Sequence, residues 1–310
     1  MSLKHVLELM DAVDSPNASG AGIREVFARH GWDGFSTVTV GGMGGATDFV
    51  KIVVPGSEGK ARGGDAPTLG IVGRLGGLGA RPEAVGYVSD GDGAVAALSA
   101  ALKIADMRLR GDVLAGDVIV GTHVCPDAPT KPHQPVPFMD SPVDMATMNE
   151  EEVDSDMDAV LSIDTTKGNR LVNHRGIAIS PPVKEGWILR LTDGLLDLYQ
   201  SVTGHPPVVL PLTMQDITPY GNGVHHVNSI VQPATATVAP VLGVAITAES
   251  VVPGSATGAS HETDIALAVR YAIEVAKAFG QGRLTFYDHS EFEWLVRLYG
   301  SMKGLHGAGR

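Results

Sequence analysis

Apolar positions along this chain fall into two rhythms. In "AGIREVFARHG", Ile23, Val26 and Phe27 recur at i, i+3 and i+4, and Gly31 is a natural stop. That spacing predicts a helix over 21–30, preceded by one over 3–13, with "SPNASG" between them. Strict alternation follows in "FSTVTV", and then apolar runs in "TDFVKIVVPG", "PTLGIVGRLGG", "GDVIVGTHV" and "DAVLSIDTTKGN". These read as strands. The stretch "AVAALSAALKIA" after Asp90 and Asp92 is apolar nearly all round, which predicts a helix buried against a sheet. Downstream, "GWILRLTDGLLDLYQSVTG" reads as a helix and "PPVVLPLTMQD" and "APVLGVAIT" as strands. "SHETDIALAVRYAIEVAKAFG" and "EFEWLVRLYGSMKG" read as two closing helices. Strands alternating with helices over short connections predict one α/β domain over 1–310, its sheet covered by helices on both faces. The Pro-rich run "CPDAPTKPHQPVPFMDSP" is expected to lie over the sheet's edge as an irregular loop.

Composition narrows the function classes. The 310 residues are 44% hydrophobic and 19% charged, which suits a globular chain with a sizeable core. Aromatics make up only 5%, so that core rests on Ala, Val, Leu and Ile. A net charge of -12 argues against nucleic acid and anionic membranes as partners. No run approaches the roughly 20 apolar residues of a membrane helix, and the N-terminus lacks the apolar core of a signal peptide. With a single cysteine, Cys125, no internal disulfide forms, and a cytoplasmic location is expected.

Ligands of open α/β sheets bind at the carboxyl ends of strands. Polar residues collect after five apolar runs. They are Asp90 and Asp92; His123, Cys125 and Asp127; Asp164, Thr165, Thr166 and Lys167; Gln215, Asp216, Thr218, Tyr220 and Asn222; and Glu249 with His261 and Glu262 beyond a Gly-rich loop. Each group has a structural reading beside the chemical one. One of Asp90 and Asp92 is expected to cap the helix that follows, and the other to face a metal or ligand. Asp164 suits a turn or a metal. His123 and Cys125 suit zinc, and Cys125 equally suits a packed strand end. His225 and His226, after an Asn-Gly turn, read as surface or core histidines. His261, at a helix start, is a candidate ligand in its neutral form. The glycine-rich "GGMGG" and "GRLGGLGAR" match no dinucleotide or P-loop spacing, and read as tight turns with Arg74 or Arg81 near an anion.

The order of these parts resembles the co-catalytic zinc aminopeptidase superfamily, which includes the glutamyl and tetrahedral aminopeptidases. "SDGDGAVAALSAAL" is similar to the segment with the metal-bridging Asp, "LSIDTT" to that with a second metal Asp, and "ASHETDIALAVRYAIEVAK" to that with the last metal His. The resemblance implies a three-layer αβα sandwich with a mixed, mostly parallel sheet. It implies a divalent metal, zinc by preference, held by Asp92 (with Asp90 its neighbour), Asp164 and His261. Where the family carries His-x-Asp this chain reads "GIVGRLGG", and where it carries Glu-Glu this chain reads "HVCPDAP". His123, Cys125 or Asp127 therefore stand where the Glu pair would, as ligand or proton shuttle. The runs "GARPEAVGYVSDGDGA", "THVCPDAPTKPH", "SIDTTKGN" and "QDITPYGNG" also resemble a bacterial family described only as a domain of unknown function.

Three functions are consistent with these residues. The first is a metal-dependent hydrolase of amide bonds in a small molecule or short peptide, acting as a homo-oligomer. In it Arg81, Thr165, Lys167, Gln215, Asp216, Tyr220 and Asn222 bind substrate, and His123, Cys125 or Asp127 serve the chemistry. The second is a non-catalytic binder of a small amino-acid-like ligand on the same fold. The third is a metal-free enzyme with Cys125 as nucleophile and His123 as base.

Overall fold

The computed structural model describes residues 2–307 except 43, 75, 80–84, 219–221 and 225–229. Its strands are β1 (Phe35–Gly42), β2 (Gly45–Val54), β3 (Leu69–Gly73), β4 (Val118–Val124), β5 (Thr130–Lys131), β6 (Phe138–Met139), β7 (Ala159–Thr165), β8 (Gly176–Ile179), β9 (Val183–Lys184), β10 (Trp187–Ile188) and β11 (Val241–Thr247). Its principal helices are α1 (Leu3–Val13), α2 (Gly20–Arg29), α3 (Asp92–Leu109), α4 (Met145–Glu152), α5 (Asp193–Thr203), α6 (Glu262–Gly280) and α7 (His289–Tyr299). Main-sheet order is β1-β2-β4-β3-β7-β11-β9-β10, with β8 also paired to β11. The centre, β4-β3-β7-β11, is parallel, and antiparallel strands flank it on both sides.

The period-two rule sorts the central strands between two cores. Leu69 and Ile71 of β3, Leu161 and Ile163 of β7, and Leu242, Val244 and Ile246 of β11 face one core, which α1, α2, α3, α5 and α6 complete. Val72, Val160, Val241 and Ala245 face the other, with Ile217, Ile230 and Val231 from the loops. Strands buried on both faces read as continuous apolar runs, as these do. The result is a three-layer αβα sandwich with a mixed, mostly parallel sheet.

Helix α3 lies deepest, and its small residues explain how. A Cβ on Gly93 would come within 2.4 Å of the Ile163 carbonyl oxygen and 2.8 Å of that of Arg74. Glycine alone lets the mouth of α3 approach the ends of β3 and β7 this closely.

Three segments differ from the expected elements. "PPVVLPLTMQD" forms no strand, only an isolated bridge between Val209 and Ile179, because its prolines remove ladder donors. Residues 187–188 form a two-residue strand after a turn at Glu185 and Gly186, both with positive φ. The helix expected over 186–204 begins only at Asp193. Among the described residues of the apolar run over 83–88, the pairing is the isolated bridge Val88–Thr257. The Pro-rich run, expected as an irregular loop, contains the small β5–β6 hairpin, whose Met139 N–H donates to Asp90 just before α3.

Candidate functional site

The carboxyl ends of β3, β4 and β7 converge on the start of α3. Asp92 sits in the first turn of α3, where a carboxylate is favoured by the helix dipole. Neither Asp90 nor Asp92 caps the helix. The N-cap is Gly91, with no side-chain capping bond. Lys167, just beyond β7, donates to Asp92 Oδ2 at 2.5 Å and to the Ala259 carbonyl at 2.9 Å. The Tyr87 hydroxyl donates to Asp92 Oδ1 at 3.0 Å. The Lys167 and Asp92 side chains are 1% and 0% exposed. Burial pushes the Asp92 carboxyl above its ordinary range even with Lys167 drawing it down. Burial, then the Asp92 charge, pushes the Tyr87 phenol well above its usual value.

Asp90 does different work. Its Oδ2 accepts from the Met139 N–H at 2.8 Å, and its own N–H donates to the Gly254 carbonyl. Ser89 Oγ donates to the carbonyls of Pro253 and Gly254, and Thr165 Oγ1 to that of Ser89. Residues 89–90 thus join α3 and β7 to the 252–257 loop and the β5–β6 hairpin. Gly254 packs against the Asp90 carboxyl so closely that a Cβ there would overlap it. Burial first, then the nearby Asp164 and Asp92 charges, raise the Asp90 pKa to about 7. Asp164, at the end of β7, is itself buried.

A second buried network lies beside the first. Arg74, directly after β3, donates through Nη1 to Glu152 Oε2 at 2.6 Å and to Asn149 Oδ1 at 3.0 Å. The other oxygen, Glu152 Oε1, is 2.7 Å from His123 Nδ1. The Gly76 N–H donates to His123 Nε2 at 3.0 Å, which assigns the ring proton to Nδ1. Arg74 and Glu152 are fully buried. Arg74 occupies the strand end where the resemblance places a metal-binding His.

The donors do not fit a metal. Both Asp92 oxygens are held by Lys167 and Tyr87, and both His123 nitrogens by Gly76 and Glu152. Cys125 packs with Val88, Ala128 and Met139, and burial pushes its thiol up. Asp127 and His261 are exposed, His261 as the N-cap residue of α6. Among the described residues, no three His, Cys, Asp or Glu side chains are grouped to hold a metal ion.

Of the candidate substrate residues, Thr165 and Lys167 lie at this edge. Asp216 is buried in a capping box with Thr213, and Asn222 closes a local turn onto the Val224 N–H. Gln215 is exposed in the same short 3-10 helix as Asp216. Arg81, Tyr220, His225 and His226 lie outside the described residues. Sequence reasoning missed Tyr87 and Glu152. Tyr87 lies only five residues before Asp92, but Glu152 ends the acidic run "NEEE", where nothing in the pattern signals burial.

Comparison with solved structures bears on the fold. An M17 aminopeptidase from Trypanosoma brucei aligns with a TM-score of 0.51 at 12% identity, over 88% of this chain. This chain spans 62% of that protein's length. The LapA aminopeptidase of Legionella pneumophila (TM-score 0.49, 14% identity) is covered over 70% of its length by 89% of this chain. A glutaminyl cyclase from an Acidobacteriales bacterium (TM-score 0.49, 14% identity) is covered over 94% of its length by 91% of this chain. No curated protein matches the chain. At 12% identity the likeness to the M17 aminopeptidase shows the fold alone, an aminopeptidase-like sandwich. No helix among the described residues is long and apolar enough to cross a membrane. The model of one family, described as a protein of unknown function (DUF1177), matches residues 38–309, so the chain belongs to the DUF1177 family.

Proposed function

We propose that this protein binds a small amino-acid- or short-peptide-like ligand at the carboxyl edge of the sheet, and that its own side-chain cations stand in place of a metal pair there. The observation that carries this reading is the Lys167 ammonium, buried 2.5 Å from Asp92 Oδ2. A buried carboxylate needs a cation, and here the chain supplies it. Arg74 does the same for Glu152. A ligand ammonium group suits the carboxyls gathered at this edge, Asp90, Asp92 and Asp164, of which Lys167 meets Asp92. The acidic chain and its single cysteine support a cytoplasmic setting.

The test is metal content of the purified protein before and after zinc or manganese loading, followed by thermal shift with amino acids and dipeptides. The expected result is no stoichiometric metal, and a ligand-dependent rise in Tm that Lys167→Met removes. Stoichiometric metal lost in Asp92→Ala would overturn it.

A second reading, a hydrolase of amide bonds in a small molecule or short peptide, is favoured by one observation. Asp90, with a pKa of about 7, is in the range of a general acid or base at neutral pH. Its metal-dependent form requires Asp92 to exchange Lys167 for the ion. Amide hydrolysis by the wild-type chain that Asp90→Asn abolishes would establish the hydrolase over the binder.

A further inference from the structure

The two edges of the main sheet are built differently. One is β10, two residues long. The other is β1, eight residues long and paired with β2 alone among the described residues. Proteins blunt an exposed edge with a short strand, with Lys or Pro, or with a bulge. β1 has none of these. It reads "FSTVTVGG", without charge or proline, and its register with β2 runs unbroken from Phe35 opposite Ile52 to Gly42 opposite Gly45. Ser36, Val38, Thr39, Gly41 and Gly42 are exposed.

Hydrogen bonds fix which groups of β1 are open. Successive residues of a strand turn their N–H and C=O to opposite sides. The Gly34 carbonyl accepts from the Val53 N–H, so the even-numbered positions address β2 and the odd-numbered ones the outside. At Phe35 those outer groups are satisfied locally. Its N–H donates to the Asp33 carbonyl, and its carbonyl accepts from Arg24 Nη2 at 3.0 Å. At Thr37, Thr39 and Gly41 the outer N–H and C=O meet no partner among the described residues. The strand is held firmly behind them. Asp48 of β2 accepts from the Thr39 hydroxyl through Oδ1 and from the Gly20 N–H of α2 through Oδ2. Val40 packs against Phe49, Val143 and Met148. Open residues at every second position are a template for one more strand, bound through its main chain.

We propose that β1 pairs antiparallel with β1 of a second copy of this chain, making one sheet continuous through both. The open row is its own complement. With Thr39 on a two-fold axis, Thr39 faces Thr39 of the other copy, and Thr37 faces Gly41 in both directions. Each of these residue pairs exchanges two hydrogen bonds, so every open group of both strands is used. A shift of two residues either way leaves some of them unpaired. The same register sets Val38 opposite Val40 and covers Val38, which is 55% exposed. The seam itself carries no charge, so two chains of net charge -12 meet there with little repulsion.

The experiment is sedimentation or light-scattering mass of the full chain, with a cross-linking arm that reads the register. Wild type is expected at about twice the 32.3 kDa chain mass. Thr39→Pro removes the N–H at the axis, a change that an edge strand tolerates. It is expected at the single-chain mass with unchanged circular dichroism. If that variant fails to fold, the cross-linking arm decides. Val38→Cys and Val40→Cys, mixed and oxidised, are expected to form a disulfide between chains, because facing positions without hydrogen bonds hold their Cα atoms about 4.5 Å apart. Val38→Cys alone is expected to form none, since its two copies lie diagonally beyond the roughly 7 Å reach of the bond. A monomeric wild type, a folded Thr39→Pro protein that keeps the dimer mass, or a mixture that cross-links no faster than Val38→Cys alone would each overturn the proposal. A foreign peptide held along β1 of a wild-type chain that is otherwise monomeric would overturn it too.

Discussion

The two ends of α3 each hold an aspartate among cations, and the two behave in opposite ways. At the N-terminal end, Asp92 is sealed from water with Lys167 and Tyr87, and its carboxyl lies above the ordinary range. At the other end, Asp106 meets His5 Nε2 at 2.8 Å, His30 Nδ1 at 2.8 Å and Lys4 at 3.3 Å. Burial pushes Asp106 up as well, but hydrogen bonds to His5 and His30 outweigh it and hold the carboxyl well below the usual range. The helix dipole favours Asp92 and opposes Asp106, so it predicts the reverse ordering. Desolvation and the number of partners decide instead. The N-terminal cluster is a dry pair whose members depend on each other. The C-terminal cluster is a partly wet hub that ties α1, α2 and α3 together and responds to pH.

The sharpest break in this comparison is Lys167→Met. It leaves Asp92 buried without its cation, and is expected to cost about 3–5 kcal/mol in urea unfolding. Adding Asp92→Asn to that background should recover most of the loss, because the pair as a whole is worth far less than one orphaned charge. A double variant no better than the single one would mean that Lys167 acts through packing.

Arg74→Met orphans Glu152 in the same way and is expected to cost about 3 kcal/mol. His123 remains as a hydrogen-bond partner of Glu152 through Nδ1, so Arg74→Met combined with Glu152→Gln should recover most of the loss. A double variant no better than Arg74→Met alone would mean that Arg74 acts through packing.

The hub predicts a smaller effect with a pH signature. Asp106→Asn is expected to cost about 1–2 kcal/mol near neutral pH. The folded Asp106 pKa is depressed, so its contribution is present above the ordinary carboxylate pKa of about 4 and is lost as pH falls towards the folded value. His30 behaves oppositely. Burial disfavours its charged form, but Asp106 and Glu8 outweigh that and raise its pKa. Its contribution is full below the unfolded value of about 6.5 and is lost as pH rises through the folded one. His30→Gln should therefore cost more at about pH 6 than at about pH 8.5. Burial lowers His5, which adds a loss of stability as pH falls below about 6.5.

An effect of the opposite sign belongs to Asp90. Its folded pKa of about 7 lies above that of the unfolded chain, so the fold loses stability as pH rises towards and through 7. Asn can accept the same Met139 N–H bond without the charge. Asp90→Asn should match wild type at mildly acidic pH and melt higher above pH 7. A lower Tm for the variant at alkaline pH would show that the carboxylate is needed there.

Much of the fold was legible because it rests on local rules. The i, i+3, i+4 stripe of α2, the continuous apolar runs of β3, β4, β7 and β11, and the small residues of α3 each announce an element and its burial. The convergence of Asp90, Asp92, Asp164 and Lys167 was legible too, since the carboxyl ends of parallel strands must share one edge. Short strands such as β8, β9 and β10 were not, because their pairing comes from distant neighbours rather than from any period of their own. The pairing of charges escaped the sequence for a similar reason. Asp92 meets Lys167 across 75 positions and Arg74 meets Glu152 across 78. Which carboxylate receives a cation, and whether that cation is a side chain, depends on distances and burial that exist only once the sheet is assembled.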